Sequence, residues 1–330
     1  MEIISNPTQD EIKKAAQALK DGHLVAFPTE TVYGLGADAT NENAVGRIYS
    51  VKARPTDHPL IVHVSSINQL GEWAIDIPEY AIKLAKEFWP GPMTLILKRS
   101  EIAADFITGR QDNIGVRVPS HPVALALLSE FEKLGGIGIA APSANRFGKV
   151  SPTSSEDVQE DLGKYLEEVD QILDGGRSLV GIESTIINCL SESPEVLRPG
   201  LITLEAITKV TGIDVKIVGS INEIKTPGAL PVHYSPKAKV VTQGVAKQGE
   251  GFLALVNIET PQGAIRLAAP LTVDQFAKQL YEALRLADQI GLSKVVVIPP
   301  EGIGLAMAIR DRLSKATGNS DLHQLFLNSS

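Results

Sequence analysis

HLVAFPTETVYGLGADA, residues 23–39, decides how the chain is read. HLVAFPT is an apolar run that predicts a short buried strand, ended by Pro28. The residues after Pro28 are unlike a strand end: Thr29, Glu30, Thr31 and Tyr33 crowd together, and Gly34 and Gly36 permit backbone geometry closed to other residues. Ligand sites of α/β proteins lie at the carboxyl ends of strands, and these polar groups stand at such an end. Taken alone, a glycine turn capped by threonines explains the stretch equally well.

Outward from that segment, helices and strands are interspersed. DEIKKAAQALKDG places Ile12, Ala15, Ala16 and Leu19 at helical spacing with Gly22 just beyond, which predicts an amphipathic helix. Strands are predicted at PLIVHV, MTLILK, NIGVRVP, IGIAAPSA, QILDGG and STIINCL, with helices over 42–50, PEYAIKLAKEFW and HPVALALLSEFEKL. This argues for a mixed α/β domain of at least six or seven strands. Near Ile213 the character changes: SINEIKTPGALPVHYSPKAKV carries Pro227, Pro231 and Pro236 without periodicity, the mark of an extended linker. GFLALVN, a helix around 272–289, KVVVIPP and a helix from Leu305 to Ala316 then make a small, loosely Rossmann-like unit. The expected organisation is a main domain over 1–212, a proline-containing linker over 213–238 and a small C-terminal α/β domain over 239–330.

Composition narrows the function classes. The 330 residues are 43% hydrophobic and 21% charged, enough for two ordinary globular domains. A net charge of −8 argues against the broad basic surface of a non-specific nucleic-acid binder and confines anion recognition to a local pocket. Cys189 is the only cysteine, which excludes an intrachain disulfide and predicts a reducing, cytoplasmic setting. No apolar run approaches the ~20 residues of a membrane helix, and MEIISNPTQDEIKKAAQALK does not read as a secretory signal.

The common signatures are missing. There is no G-x-x-x-x-G-K-[ST], no HExxH or Cys/His cluster and no GxSxG elbow; GIGIAA runs into Pro142 where a dinucleotide fingerprint needs a helix. Five polar segments stand out instead. Beside Thr29–Tyr33, SVKARPTDHPLIVHV carries Lys52 and Arg54, which would project from one face if the segment is extended. NIGVRVPSHP puts Arg117 in an apolar strand, where a guanidinium needs a ligand or carboxylate partner. APSANRFGKVSPT ends a strand in Ser143 and Asn145, with Ser151 and Thr153 on the loop beyond. In GIESTIINC and EVLRPG, Ser184 and Thr185 begin one strand and Arg198 ends another. Each has a bland explanation singly; five in one domain, all at strand ends or starts, do not. Arginines and a lysine suit phosphates or carboxylates, and hydroxyls and amides suit an amino acid or sugar.

With those residues in hand, the chain resembles the threonylcarbamoyl-AMP synthase family, a YrdC-type catalytic domain in its long form. PTETVYGL, the Lys52-x-Arg54 pair, WPGPMTLIL, GVRVPSHP, APSANRFGKVSPT, ESTI and LRPG match the family pattern in order and span nearly all of residues 1 to 212. HYSPK resembles the element that joins this domain to a C-terminal one, and EGIGLAMAIRDRLSKAT resembles the closing helix of the latter. The resemblance implies a twisted, mixed and largely parallel sheet around a deep positive cavity. It implies the condensation of L-threonine, bicarbonate and ATP, with Mg²⁺, into threonylcarbamoyl-AMP and pyrophosphate. The adenylate would feed the threonylcarbamoyl modification of adenosine 37 in ANN-decoding tRNAs, completed by a separate transferase machinery. Carried over residue by residue, Lys52, Arg54, Ser143 and Asn145 form the central cluster. Thr31, His63, Arg117, Ser143 and Ser184 map to the threonine side. Arg54, His58, Asn113, Asn145, Ser151, Thr153, Arg198 and Tyr234 or its neighbour His233 map to the nucleotide side; Asn113 stands where the family carries threonine. The alternative is an RNA-binding or regulatory module that uses the same cavity without turnover, against which the acidic chain counts.

Overall fold

The computed structural model describes residues 1–218 and 234–317; His233, Pro227 and Pro231 of the expected linker lie outside them. Among the described residues the first sheet has eleven strands: β1 (Glu2–Ser5), β2 (Val25–Phe27), β3 (Gly34–Asp38), β4 (Ile61–His63), β5 (Met93–Lys98), β6 (Asn113–Arg117), β7 (Ile139–Ala140), β8 (Gln171–Asp174), β9 (Thr185–Asn188), β10 (Glu195–Arg198) and β11 (Lys216–Ile217). Their order is β1-β8-β2-β3-β7-β4-β6-β5-β9-β10-β11. Around them run α1 (Gln9–Lys20), α2 (Glu42–Lys52), α3 (Leu70–Trp73), α4 (Glu79–Phe88), α5 (Asp105–Thr108), α6 (Pro122–Lys133), α7 (Ser155–Leu162) and α8 (Leu204–Thr211). A second, four-stranded sheet, ordered β12-β15-β13-β14, is formed by β12 (Lys239–Val241), β13 (Gly251–Leu253), β14 (Ile265–Ala268) and β15 (Lys294–Val297), with helices α9 (Val273–Gln289) and α10 (Leu305–Thr317).

Burial on both faces follows from the period-two alternation of strands. In β2, Val25 and Phe27 face α1 and α6, where Ile12, Ala15, Ala16, Leu19, Leu127 and Phe131 complete one core. Leu24 and Ala26 face the opposite core with Val45 and Ile48 of α2, Trp73, and Ala81 and Leu84 of α4. The apolar stripe read on the first helix is this buried face, and a Thr8–Glu11 capping box starts it. In the small sheet, Leu253, Val295 and Val297 pack on Phe276, Leu280 and Leu284 of α9 and Ile309 and Leu313 of α10. That core also takes in Val32, Val150 and Ile182, so the two sheets share buried apolar surface.

Three expectations change. The large sheet is evenly mixed rather than largely parallel: β1/β8, β2/β8, β4/β6, β5/β9 and β10/β11 are parallel, and β2/β3, β3/β7, β4/β7, β5/β6 and β9/β10 antiparallel. The opening stretch is the reason in its part of the sheet. Pro28–Tyr33 is the loop of a hairpin whose second strand, β3, contains both glycines. Neither glycine has a positive φ; at Gly36 an added Cβ would lie 2.8 Å from Ile139 Cγ2 and 2.8 Å from the Phe27 ring. Glycine is required there by close packing on the sheet face, not by a turn.

Lys52 and Arg54 are not on an extended segment either. Lys52 is the last residue of α2, and Ala53 caps that helix in the left-handed region at φ 49°. The chain therefore reverses between the two cations, and both are buried.

Candidate active site

Strand ends converge on one cavity, of about 550 Å³ with its mouth included. Thr31 comes from the β2–β3 loop, His63 from the end of β4, Arg117 from the end of β6 and Ser143 from the loop after β7. Ser184 precedes β9, Arg198 ends β10, and Arg54 and Tyr234 complete the set of sequence-selected residues on its wall. Parallel β4 and β6 put His63 and Arg117 in register, side by side. The loop after β7 is held across the hairpin by Leu35 N–H donating to Pro142 O (2.9 Å) and Ala144 N–H to Tyr33 O (2.8 Å).

Other predicted residues stand behind the wall. Lys52 Nζ donates to the carbonyls of Ser143 and Asn145. Asn145 Nδ2 ties down the Arg146 and Lys149 carbonyls at 2.9 Å each. The His58 ring stacks edge-on against Phe147 at 5.3 Å, whose face lies 5.5 Å from the Arg54 guanidinium. Ser151 donates to Glu183 (2.6 Å). Thr153 is taken up by the start of α7, its N–H and hydroxyl both directed at Asp157 (2.9 and 3.3 Å). Asn113 begins β6 opposite Lys98, four residues from Arg117, and the structure does not bring it to the cavity wall.

Two carboxylates are given no role by the sequence reading. Glu30 pairs with Arg117 at 2.6 Å and accepts from Ser120 N–H at 3.1 Å. Arg117 also donates to Thr31 Oγ1 (3.0 Å), so the partner its burial demanded is a carboxylate and a hydroxyl. Glu183 lines the cavity and is held by Arg312 (2.8 Å) and Tyr281 (2.9 Å). Burial would raise its carboxyl, but Arg312 and Arg198 hold it down at about 2. The sequence signal for Glu183 was its place directly before Ser184; its partners lie 98 and 129 residues away, beyond any local pattern.

Among the described residues Arg54 Nε and Asn145 Oδ1 have no hydrogen-bond partner. Orphans of this kind are rare in native proteins and call for a water, an ion or a ligand. Burial lowers the Arg54 guanidinium to about 10 against the favourable influence of Tyr49, Tyr234 and Asp57, so it is still charged at neutral pH. Among the described residues no cluster of three or more His, Cys, Asp or Glu could hold a metal ion, and no helix is long and apolar enough to cross a membrane.

Burial and the neighbouring Arg117 push His63 down to about 3. The unfolded histidine titrates near 6.5, so below that pH the unfolded chain binds a proton the native site refuses. Stability is therefore complete above pH 6.5 and declines as pH falls toward 3, by up to about 1.4 kcal/mol per pH unit from this group. Urea unfolding at pH 7, 6 and 5 is expected to show a shallower decline in His63→Gln than in the parent chain. Equal slopes would show that His63 is protonated in the native state.

Comparison with known proteins agrees with this geometry. A family model described as Telomere recombination, the Sua5/YciO/YrdC family, matches residues 17–200. A second, described as Threonylcarbamoyl-AMP synthase, C-terminal domain, matches residues 202–318. The threonylcarbamoyl-AMP synthase of Pyrococcus abyssi is 42% identical over 327 residues, covering 93% of this chain and 94% of its own. That of Bacillus subtilis is 38% identical over 344 residues, covering 96% and 95%. The crystal structure of P. abyssi Sua5 complexed with L-threonine superposes with a TM-score of 0.86 at 39% identity, over 96% of this chain and 98% of that one. With both family models matched in order and full-length relatives this similar, the chain belongs to the threonylcarbamoyl-AMP synthase family.

Proposed function

We propose that this protein is an L-threonylcarbamoyladenylate synthase, a nucleotidyltransferase that joins L-threonine, bicarbonate and ATP into threonylcarbamoyl-AMP and pyrophosphate. The observation that carries the reading is the gathering of three buried arginines, Arg54, Arg117 and Arg198, with Ser143 and Ser184 on one cavity, Arg54 Nε having no hydrogen-bond partner among the described residues. The adenylate would serve the threonylcarbamoyl modification of adenosine 37 in ANN-decoding tRNAs, with a separate transferase machinery completing it in the cytoplasm.

The chemistry brings two anions together. Threonine's amine and bicarbonate give a carbamate with loss of water, and its carboxylate attacks the α-phosphate of ATP, breaking the bond to the departing pyrophosphate. Neutralisation and positioning are therefore the main tasks, and no protein nucleophile is required. Arg54 faces the phosphates, with Lys52 and Asn145 setting the loop around them. Arg117, steered by Glu30, takes the threonine carboxylate together with Thr31, His63, Ser143 and Ser184. Neutral His63 offers a hydrogen bond without adding charge. Arg198 and Tyr234 lie on the nucleotide side with His58, Ser151 and Thr153 behind them. Mg²⁺ would be carried by the triphosphate, since the carboxylates near the cavity, Glu30 and Glu183, are engaged by Arg117 and Arg312.

Incubation with labelled threonine, bicarbonate and ATP should give a labelled adenylate, and omission of any one substrate should stop pyrophosphate release. An adenylate yield no higher than in the protein-free control sinks the assignment.

A further inference from the structure

One wall of the cavity is held from outside the first sheet. Glu183 immediately precedes Ser184, and its carboxylate accepts from Ser151 (2.6 Å), from Tyr281 on α9 (2.9 Å) and from Arg312 Nε on α10 (2.8 Å). Arg312 is 1% exposed. Its Nη2 donates to Glu183 O at 3.3 Å and its Nη1 to Pro199 O at 3.0 Å. Pro199 directly follows Arg198, which donates to Ser184 O (3.0 Å) and Ser184 Oγ (3.1 Å). Asp311 in turn holds Arg312 (2.7 Å) and Lys315 (3.0 Å). A single guanidinium from the small domain thus grips both segments that carry Ser184 and Arg198.

We propose that Arg312 is a positioning residue for the reaction: by bonding Glu183 and the Pro199 carbonyl together it fixes Ser184 and Arg198 on the cavity wall. Helix α10 is then part of the active-site framework, and the small domain acts on catalysis through a side chain as well as through the chain that tethers it. The reaction itself rests on the function proposed above; the geometry does not. A fork is needed because the contacts point three ways, to the Glu183 carboxylate, to the Glu183 main-chain carbonyl and to Pro199, which a lysine point charge cannot span.

An inert interdomain strut would use the same contacts, so the test must read Glu183. Around that carboxylate stand Arg312, Asp311 and Lys315 from α10, Tyr281 from α9, Arg198 from β10, Tyr234, and Ser151 from its loop. Burial drives the Glu183 carboxyl up, and Arg312 is the strongest of the groups that hold it down. Without Arg312 the burial persists with only Arg198 and Ser151 still lowering the carboxyl, which is then expected to titrate at a higher pH than in the parent.

The experiment compares the full chain with Arg312→Met, Arg312→Lys and the double variant Arg312→Met/Glu183→Gln. The readouts are kcat/KM for ATP and threonine between about pH 5 and 8, with a thermal melt to verify folding. Arg312→Met is expected to lose about tenfold or more in kcat/KM, as a misplacement of roughly an ångström does. It should also gain an acid limb absent from the parent, and Glu183→Gln should erase that limb. Parent-like kcat/KM, or a loss with an unchanged pH profile, overturns the proposal. If Arg312→Met does not melt cooperatively, Arg312→Lys is read by kcat/KM alone, since lysine keeps the charge beside Glu183 but not the fork: a loss of about tenfold sustains the proposal and parent-like kcat/KM overturns it. If the parent makes no adenylate, the functional reading fails and calorimetric titration with L-threonine and ATP decides the positioning claim. Affinity weakened by about tenfold in the variant sustains it; equal affinities, or no binding to the parent, sink it.

Discussion

Replacing Arg54 by methionine is expected to lower kcat/KM for ATP by about three orders of magnitude without lowering stability. The two halves have one cause. Arg54 is 7% exposed, donates to the Pro59 carbonyl (3.0 Å) and lies over the Phe147 ring, with Tyr49, Tyr234 and Asp57 favouring its charge from nearby. Burying a charge is unfavourable even with such partial compensation, so an apolar side chain of similar length is expected to be neutral or stabilising in the empty protein. The same burial makes the guanidinium effective against an incoming phosphate, since its Nε has no partner to give up. Lysine is not expected to rescue, because a point charge does not reproduce the fork. Pyrophosphate release and urea unfolding on the same preparations check both halves. Parent-like turnover would remove Arg54 from the phosphate site, and a large loss of stability would mean that the cation serves the fold instead.

How much of this was legible beforehand depends on the range of the interactions. The first helix followed from local spacing, and the strand at MTLILK coincides with β5 from Met93 to Lys98, because alternation and capping are near-neighbour effects. The polar strand tips were legible for the same reason: Thr31, Ser143, Ser184 and Arg198 each break an apolar run at one place. Conformation at single residues was not. The segment with Lys52 and Arg54 looked extended, whereas α2 runs on to Lys52 and Ala53 takes a left-handed cap that β propensity does not signal. Gly34 and Gly36 read as turn glycines, because nothing local shows that the Phe27 ring and Ile139 press on that face of β3. Long-range partners were least accessible. The burial cost of Arg117 said that a partner existed, but only the folded chain identifies Glu30. Glu183 was hidden inside a motif read for its hydroxyls, and its meaning lies in Arg312, on a helix of the other sheet.

Lys52→Met is expected to abolish turnover and, unlike Arg54→Met, to destabilise the protein. The Lys52 amine is the donor to the Ser143 and Asn145 carbonyls, on the loop that leaves β7 and shapes the cavity rim. Methionine fills the channel but donates nothing, and a buried carbonyl left without a partner costs about 1–3 kcal/mol. The rim loop also loses the tie that fixes Ser143, so the rate falls even where substrates still bind. Burial and then the nearby Arg54 push the Lys52 ammonium well below its ordinary range, toward an amine that still has hydrogens for both carbonyls. The triphosphate reverses that balance by bringing negative charge beside it. Nucleotide binding is therefore expected to take up a proton at Lys52, seen as a dependence of the calorimetric heat on the ionisation enthalpy of the buffer. The uptake should vanish in Lys52→Met while ATP remains bound at raised concentration. A buffer-independent heat in the parent chain would mean that Lys52 is already charged in the empty cavity, and identical uptake in the variant would place the proton on another group.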